Sequence, residues 1–493
     1  MFNRVIYAGY ALALATAISV WLIAIRAPLW LDETVSFTQI TSGLSNIYAR
    51  TWPAFPGYSY FLWLATKILG TSEVALRVPS ILAMLGAVYL LYRAARELFE
   101  RDVALIATAV FCVHPIVIFE SIDARPYVFA VLATNGAIFT LLRLRKSHSN
   151  GLAALFGFLA AAILYFRYLF GVILPALAVC FFIIKKDDRA VLWRQAGVAL
   201  ATFAVAFLPV IPGLENLFHT RGTHVFAAAP NLGDLLWTFS MGWMVLILGA
   251  AAMAALRFAP VSAQKHGPRS GFDSRRALLC TSLALAPILI LFGVSVETPL
   301  HVFILRYRLV AVPGIALCWA LAANAFNSRT IRLLFCLVLV GVTAYQYFSS
   351  PLSRLHGYTW KYALEAAENN AAPDNAPVLI CSDLPESNYT AMPLHSAKES
   401  SLFAPLSYYK LSVPVVPLPR SLNNQAKQIA SSFLQMATLH HQRFLALAFK
   451  SSYKTLDWIA GKASAAYNVR RLGIFDQVRV LDFTPRPPAS NRP

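Results

Sequence analysis

Charge is scarce in this chain. Asp, Glu, Lys and Arg make up 13% of its 493 residues, against about 25% in an average soluble domain. With 58% hydrophobic residues beside it, that shortage excludes a disordered chain, a coiled coil and an ordinary water-soluble enzyme. Cysteine is scarce as well, with six in all. None forms a CxxC pair or a Cys/His metal spacing. Cys112, Cys180, Cys280, Cys318 and Cys336 fall in apolar runs, and Cys381 stands alone in a polar stretch. That excludes a disulfide framework and leaves six small buried hydrophobes. The polar C-terminal part has no glycine-rich phosphate loop.

Long apolar runs are what the sequence does have. A bilayer core of about 30 Å needs about 20 apolar residues per helix. Runs of that kind lie near 5–25, 75–95, 102–119, 125–142, 151–166, 168–184, 194–212, 234–257, 276–296, 303–325 and 331–350. The reading is an all-α polytopic membrane protein with about eleven spans. Segment 151–184 is split at Arg167, because an arginine at a span centre costs about 2.5–3.5 kcal/mol even on lenient insertion scales. The first run reads as an uncleaved anchor rather than a signal peptide, since it is too long for a typical apolar core and lacks a clean cleavage site.

The net charge is +19, and its distribution is uneven. Arg and Lys cluster near the N-terminus and at 93–101, 143–148, 185–194, 257–276 and 329–332. These are alternate loops, so the surplus reads as the positive-inside pattern of cytoplasmic loops, not as a nucleic-acid surface. The N-terminus is then cytoplasmic and residues 351–493 lie outside. Composition turns polar after Ser350. Within the tail, 376–381, 443–449 and 478–483 read as strands and 358–369 and 455–466 as helices, a small soluble α/β domain.

The opposite loops mix acids, bases and aromatics close to membrane ends. The first, 26–74, holds Trp30, Asp32, Glu33 and Tyr58, and its segment 58–69 is too short to span and reads as an interfacial helix. The next holds Glu120, Asp123, Arg125 and Tyr127. Arg167 follows, and the last loop carries Arg306, Tyr307 and Arg308. Ionisable groups there are costly beside lipid unless paired or used. Asp32 and Glu33 suit a general base, a metal site or merely a helix start. Arg125, Arg167 and Arg306 suit an anionic ligand such as phosphate, or else fix helix ends. His219 and His224 flank Arg221 without a third ligand, so no metal site is assigned; a divalent metal finds no support.

Together these stretches resemble the membrane glycosyltransferases of family 39, the dolichyl-phosphate-mannose protein mannosyltransferase-like and lipid A aminoarabinose transferase-like enzymes with the type-C fold. The carriers are WLDETVSF (30–37), the stretch 57–99, HPIVIFESIDARPYVFAVLA (114–133) and RYRLVAVPGIAL (306–317). The likeness runs through roughly 1–170, is patchy to 350 and is absent from the tail. It implies a polyprenyl-phosphate-linked sugar donor, an envelope acceptor (lipid, glycan or protein), transfer with inversion at the outer face of a bacterial inner membrane, a periplasmic tail and no cofactor. It casts Asp32 as the catalytic acidic residue with Glu33 completing the pair. Arg125, Arg306 and Arg167 become donor-phosphate ligands, and Asp123, Tyr127, Tyr58 and Tyr307 substrate contacts. Two departures touch that pocket. TWPAFPGYSY (51–60) lacks the histidine usual there, and Arg167 stands where the family often has one. A lipid or anion transporter and a noncatalytic membrane scaffold are the alternatives.

Overall fold

The structure, a computed structural model, describes residues 2–41, 43–47, 56–144, 146–184, 189–220, 227–239, 274–326, 328–349, 359–392 and 399–487. Helices dominate up to Ser349. Among the described residues, seven are long and apolar enough to cross a membrane, including Arg4–Leu22, Glu73–Leu98, Tyr127–Leu144, Ser274–Glu297 and Arg329–Ser349. An eighth crossing arises if Arg101–Val113 and Pro115–Ser121, bent by 67° at His114, count as one. Pro115 causes that bend, since it lacks an N–H and its ring collides with the carbonyl four residues back. The His114 side chain caps the new turn by accepting from the Ile116 N–H at 3.3 Å. Most of the span near 234–257 lies outside the described residues.

The segment 151–184 is broken at the arginine. The Asn150–Phe166 helix ends there, Arg167 adopts an extended backbone, and a 3-10 turn, Tyr168–Ile173, leads into Leu174–Ile184. Two glycines let helices touch backbone to backbone. A Cβ on Gly157 would sit 2.1 Å from the Ala199 carbonyl oxygen, and one on Gly314 would sit 2.3 Å from the Leu283 carbonyl carbon. Small residues serve this purpose where lipid offers no hydrophobic drive between helices.

Ion pairs close both ends of the bundle. At one end Arg332, 1% exposed, bonds Asp102 at 2.7 Å, Glu100 at 3.2 Å and the Phe326 carbonyl at 2.7 Å. Arg332 is thus a buried fastener, not a freely solvated loop charge. The candidate site occupies the other end.

Residues 359–487 build a five-stranded sheet, β1 (Val378–Cys381), β2 (Val415–Leu418), β3 (Phe444–Phe449), β4 (Tyr467–Phe475) and β5 (Val478–Pro485), in the order β2-β1-β3-β5-β4. β1 runs parallel to β2 and β3, while β5 is antiparallel to β3 and β4. Alternation splits the apolar residues between two cores. Ile380, Leu445 and Leu447 pack on Trp360 and Leu364, while Leu379, Phe444 and Ala446 pack on Leu456 and Ile459. Asp476 and Gln477 take positive φ of 45° and 71° in the β4–β5 turn. The pair of positive angles suits a primed two-residue hairpin turn.

This domain is seated on the helical one. Trp30 forms a β-bridge with Thr359. The Leu29 N–H donates to the Tyr409 hydroxyl at 2.7 Å, and the Tyr408 hydroxyl donates to the Thr71 carbonyl at 2.9 Å. Phe37 meets Tyr408 edge-on at 5.0 Å. These contacts fall on or next to the loop that carries Asp32.

Candidate functional site

The helix Leu31–Ile40 presents Asp32 and Glu33. It starts cleanly because Trp30 is extended, the Trp30 N–H donates to Glu33 Oε2 at 3.3 Å, and two acids in the first turn favour the helix dipole. Neighbours on a helix point about 100° apart, and these two acids meet different surroundings.

Glu33 is fully buried. Its Oε1 accepts from Arg77 Nε at 2.9 Å and from the Ala124 N–H at 3.0 Å, and its Oε2 accepts from Arg77 Nη2 at 2.7 Å. Arg77, also fully buried, donates further to the carbonyls of Ala27 at 2.6 Å, Ile25 at 2.8 Å and Pro28 at 3.2 Å. The Arg77–Glu33 pair therefore ties the end of the first span, the Asp32 helix and the 122–126 turn together. The sequence had offered a sign of Arg77: an arginine within an apolar run has to be paired.

Asp32 is the more open of the two. Its side chain is 21% exposed and sits between two guanidiniums. Arg306 Nη1 donates to Oδ2, and Arg125 Nη2 stands 3.8 Å from the same oxygen. Arg125 is held in place by the Asp32 carbonyl at 3.2 Å and Ser36 Oγ at 3.3 Å. Burial alone would raise the Asp32 carboxyl; the nearby Arg306 and Arg125 charges outweigh it and hold the group below its ordinary range.

Aromatic rings pack against the arginines. Arg306 lies over Trp30 at 4.8 Å and over Tyr127 at 5.7 Å, with its Nη1 3.4 Å from the Tyr127 hydroxyl. Arg167, 8% exposed, lies 4.7 Å from the ring centres of both Tyr127 and Tyr307 and donates to the Tyr307 hydroxyl. Asp123 is buried and accepts from the Trp30 indole N–H at 3.0 Å. Its carbonyl accepts from Ser80 Oγ at 2.5 Å. Tyr58 is buried in the Pro56–Leu69 helix, edge-on to Phe129 at 5.5 Å. That helix has 14 residues and exposes Phe61, Leu64 and Ile68.

Asp32, Arg125, Arg306, Tyr127, Tyr307 and Arg167 thus converge from four separate segments. Arg308 does not join them; it donates to Thr238 Oγ1 at 2.8 Å and covers Phe303. Arg221 and His224 lie outside the described residues. Among the described residues, no three His, Cys, Asp or Glu side chains are grouped to hold a metal ion. Trp30 and Ser36 are part of the arrangement although the sequence reading gave them no role.

Known proteins share this architecture. The family model described as dolichyl-phosphate-mannose-protein mannosyltransferase matches residues 53–214. No curated protein matches the sequence. The crystal structure of ArnT from Cupriavidus metallidurans bound to undecaprenyl phosphate is 13% identical, with a TM-score of 0.55 over 96% of this chain and 97% of that one. Its apo form gives 12% and 0.52 over the same shares. Arabinofuranosyltransferase AftD from Mycobacteria gives 13% and 0.51, covering 97% of this chain and 41% of that one. At such low identity the likeness is one of fold: the chain has the type-C membrane glycosyltransferase fold, with a small C-terminal sheet domain.

Proposed function

We propose that this chain transfers a sugar from a polyprenyl-phosphate donor to an envelope acceptor at the outer face of a bacterial inner membrane, inverting the anomeric carbon. One observation carries the reading: a part-buried carboxylate, Asp32, bracketed by Arg306 and Arg125 beside the rings of Trp30 and Tyr127, at one end of a bundle with this fold.

The chemistry follows from those groups. A sugar bound through phosphate to a lipid needs cations on the phosphate and a base for the acceptor. Arg306 and Arg125 supply forks of donors suited to phosphate, and Arg167 adds a third positive charge from behind Tyr127 and Tyr307. In the resting site the first two spend their charge on Asp32. An arriving phosphate competes for them, which loosens their hold and raises the proton affinity of Asp32 where a base is needed. The acceptor oxygen or nitrogen then bonds to the anomeric carbon as the bond from that carbon to the phosphate oxygen breaks. Asp32 takes the acceptor's proton, and polyprenyl phosphate leaves with its charge held by the arginines. The half-buried indole of Trp30, beside Arg306, offers a ring face to the sugar, while the buried Tyr127 and Tyr307 rings hold the arginines in place. Glu33, saturated by Arg77 and Ala124, aligns the helix rather than moving a proton.

The test has two readouts. Mass spectrometry of envelope lipids and glycans, from cells with and without the gene, identifies the product. Asp32→Asn is expected to lower product formation about 10²–10⁴-fold while the purified chain still binds undecaprenyl phosphate. Transfer that survives this change rejects Asp32 as the base.

A further inference from the structure

The chain between the first span and the Asp32 helix does not hold itself in place. Residues 27–29 belong to no helix or strand, and a buried backbone still needs partners. Arg77 supplies some from the bundle, donating to the carbonyls of Ala27 and Pro28. The Leu29 N–H finds its partner elsewhere. Leu29 is fully buried, and its N–H donates to the Tyr409 hydroxyl of the C-terminal domain, 380 positions further along. One residue on, Trp30 bridges to Thr359.

The same domain grips the two neighbouring segments. Its Ala404–Tyr408 helix lies against the Leu31–Ile40 helix. There Tyr408 meets Phe37 edge-on, and Tyr409 meets Tyr408 in the same way at 4.8 Å. The Tyr408 hydroxyl donates to the Thr71 carbonyl, and Lys361 stands 3.7 Å from Glu73. Glu73 lies about one helical turn before Arg77. The tail thus holds from outside what the Arg77–Glu33 pair holds from within: the 27–30 segment, the Asp32 helix and the start of the Glu73–Leu98 helix. Trp30 carries this grip to the reacting groups. Its backbone is bridged to the tail, its indole N–H is spent on Asp123, and its ring lies against Arg306. Arg125 bonds the Asp32 carbonyl and Ser36 on the same helix, so a shift of that helix disturbs both arginine contacts.

We propose that the C-terminal domain is a working half of the Asp32 site, with Tyr408 and Tyr409 as positioning residues. They act through Phe37 and Leu29, and hold the Asp32 helix and Trp30 in register with Arg306 and Arg125. Tyr408 does so by ring contact, and Tyr409 by accepting from a donor buried away from water. The assignment rests on the transferase reading for the reaction it serves, and on the contacts alone for the clamp.

Three variants of the full chain in nanodiscs test this. Tyr408→Ala removes the ring from Phe37 and the bond to Thr71, Tyr408→Phe keeps the ring, and Tyr409→Phe removes only the bond from Leu29. Hydrogen exchange is read at 29–40 and in β1 and β3. Transfer is followed against pH through the product that mass spectrometry identifies. Tyr408→Ala is expected to quicken exchange at 29–40 but not in the sheet, and to lower kcat/KM for the donor about tenfold or more. Its acid limb is expected to move upward, because Asp32 then spends time away from the Arg306, Arg125 and Arg167 charges. Asp383 is the charge that reaches Asp32 from the tail. Its withdrawal would move the limb downward, so an upward shift reports the arginines. Tyr408→Phe is expected to keep most of the rate, and Tyr409→Phe to lose about fivefold. Exchange at 29–40 that all three leave unchanged overturns the proposal, as does quickened exchange with wild-type rate and limb. Should Tyr408→Ala quicken exchange in the sheet as well, Tyr409→Phe decides alone by the same readouts. Failure of the transferase reading looks different: wild type then binds no undecaprenyl phosphate and transfers no sugar, while exchange at 29–40 still follows the clamp.

Discussion

Two adjacent carboxylates in this protein have opposite surroundings. Glu33 is sealed, with both oxygens bonded and an equally buried arginine against it. Asp32 is partly open and shares one oxygen between two arginines that are themselves 16% and 24% exposed. A sealed pair fixes geometry, because moving either charge leaves the other stranded in a low-dielectric interior. An open cluster leaves its cations able to change partner. In the proposed reaction the Asp-Glu pair is therefore one residue for positioning and one for chemistry, and the same division separates Arg77 from Arg306.

Substitutions can break that contrast. Arg77→Met leaves Glu33 buried without its cation and is expected to cost about 3–5 kcal/mol of stability, read as a lowered melting temperature in detergent with loss of transfer. An unchanged melt would mean that the buried pair does not hold the loop. Arg306→Lys keeps the charge but loses the fork and the stacking on Trp30. Undecaprenyl phosphate binding is expected to weaken about 10–100-fold with the melt unchanged, by titration of the purified chain.

The pH profile sharpens the contrast further. Asp32 is held below its ordinary value in the donor-free site, so it stays ionised further into acid than a free aspartate, and kcat/KM for the donor is expected to show no acid limb above about pH 4 in the wild type. In Arg306→Gln the larger opposing charge is gone and burial prevails, so an acid limb is expected to move upward. The linked stability has the same sign. It is present above the unfolded carboxyl's titration and is lost as pH falls through the lower folded value. A limb that stays put in the variant would detach Arg306 from Asp32. The smallest effect belongs to the seat of the tail. Tyr409→Phe removes the bond from the Leu29 N–H and is expected to cost about 1 kcal/mol, visible as faster hydrogen exchange at 29–31.

Much of this was legible in the sequence, for physical reasons. Apolar run length sets the spans, and the break at Arg167 follows from the cost of a charge among apolar residues. Asp32, Arg125 and Arg306 stood out because charges at membrane margins need partners. The division of labour between Asp32 and Glu33 was not legible. It depends on Arg77, 44 positions further along the chain, and on a helix turning its neighbours to different faces. In the tail, β1, β3 and β5 showed as apolar runs. β2 and β4 did not, since both are edge strands. β2 carries Pro417, which edges tolerate, and β4 is largely exposed and polar, with a bulge at Arg471–Gly473.

The most direct test compares the two acids side by side. Asp32→Asn and Glu33→Gln are made in the full chain, and each is assayed for thermal melting and for sugar transfer in the same membranes. The account predicts that Asp32→Asn melts like wild type and transfers at least about 100-fold more slowly, while Glu33→Gln melts lower. A normal rate with Asn at position 32, or a Glu33→Gln chain that melts like wild type yet has lost transfer, would contradict it.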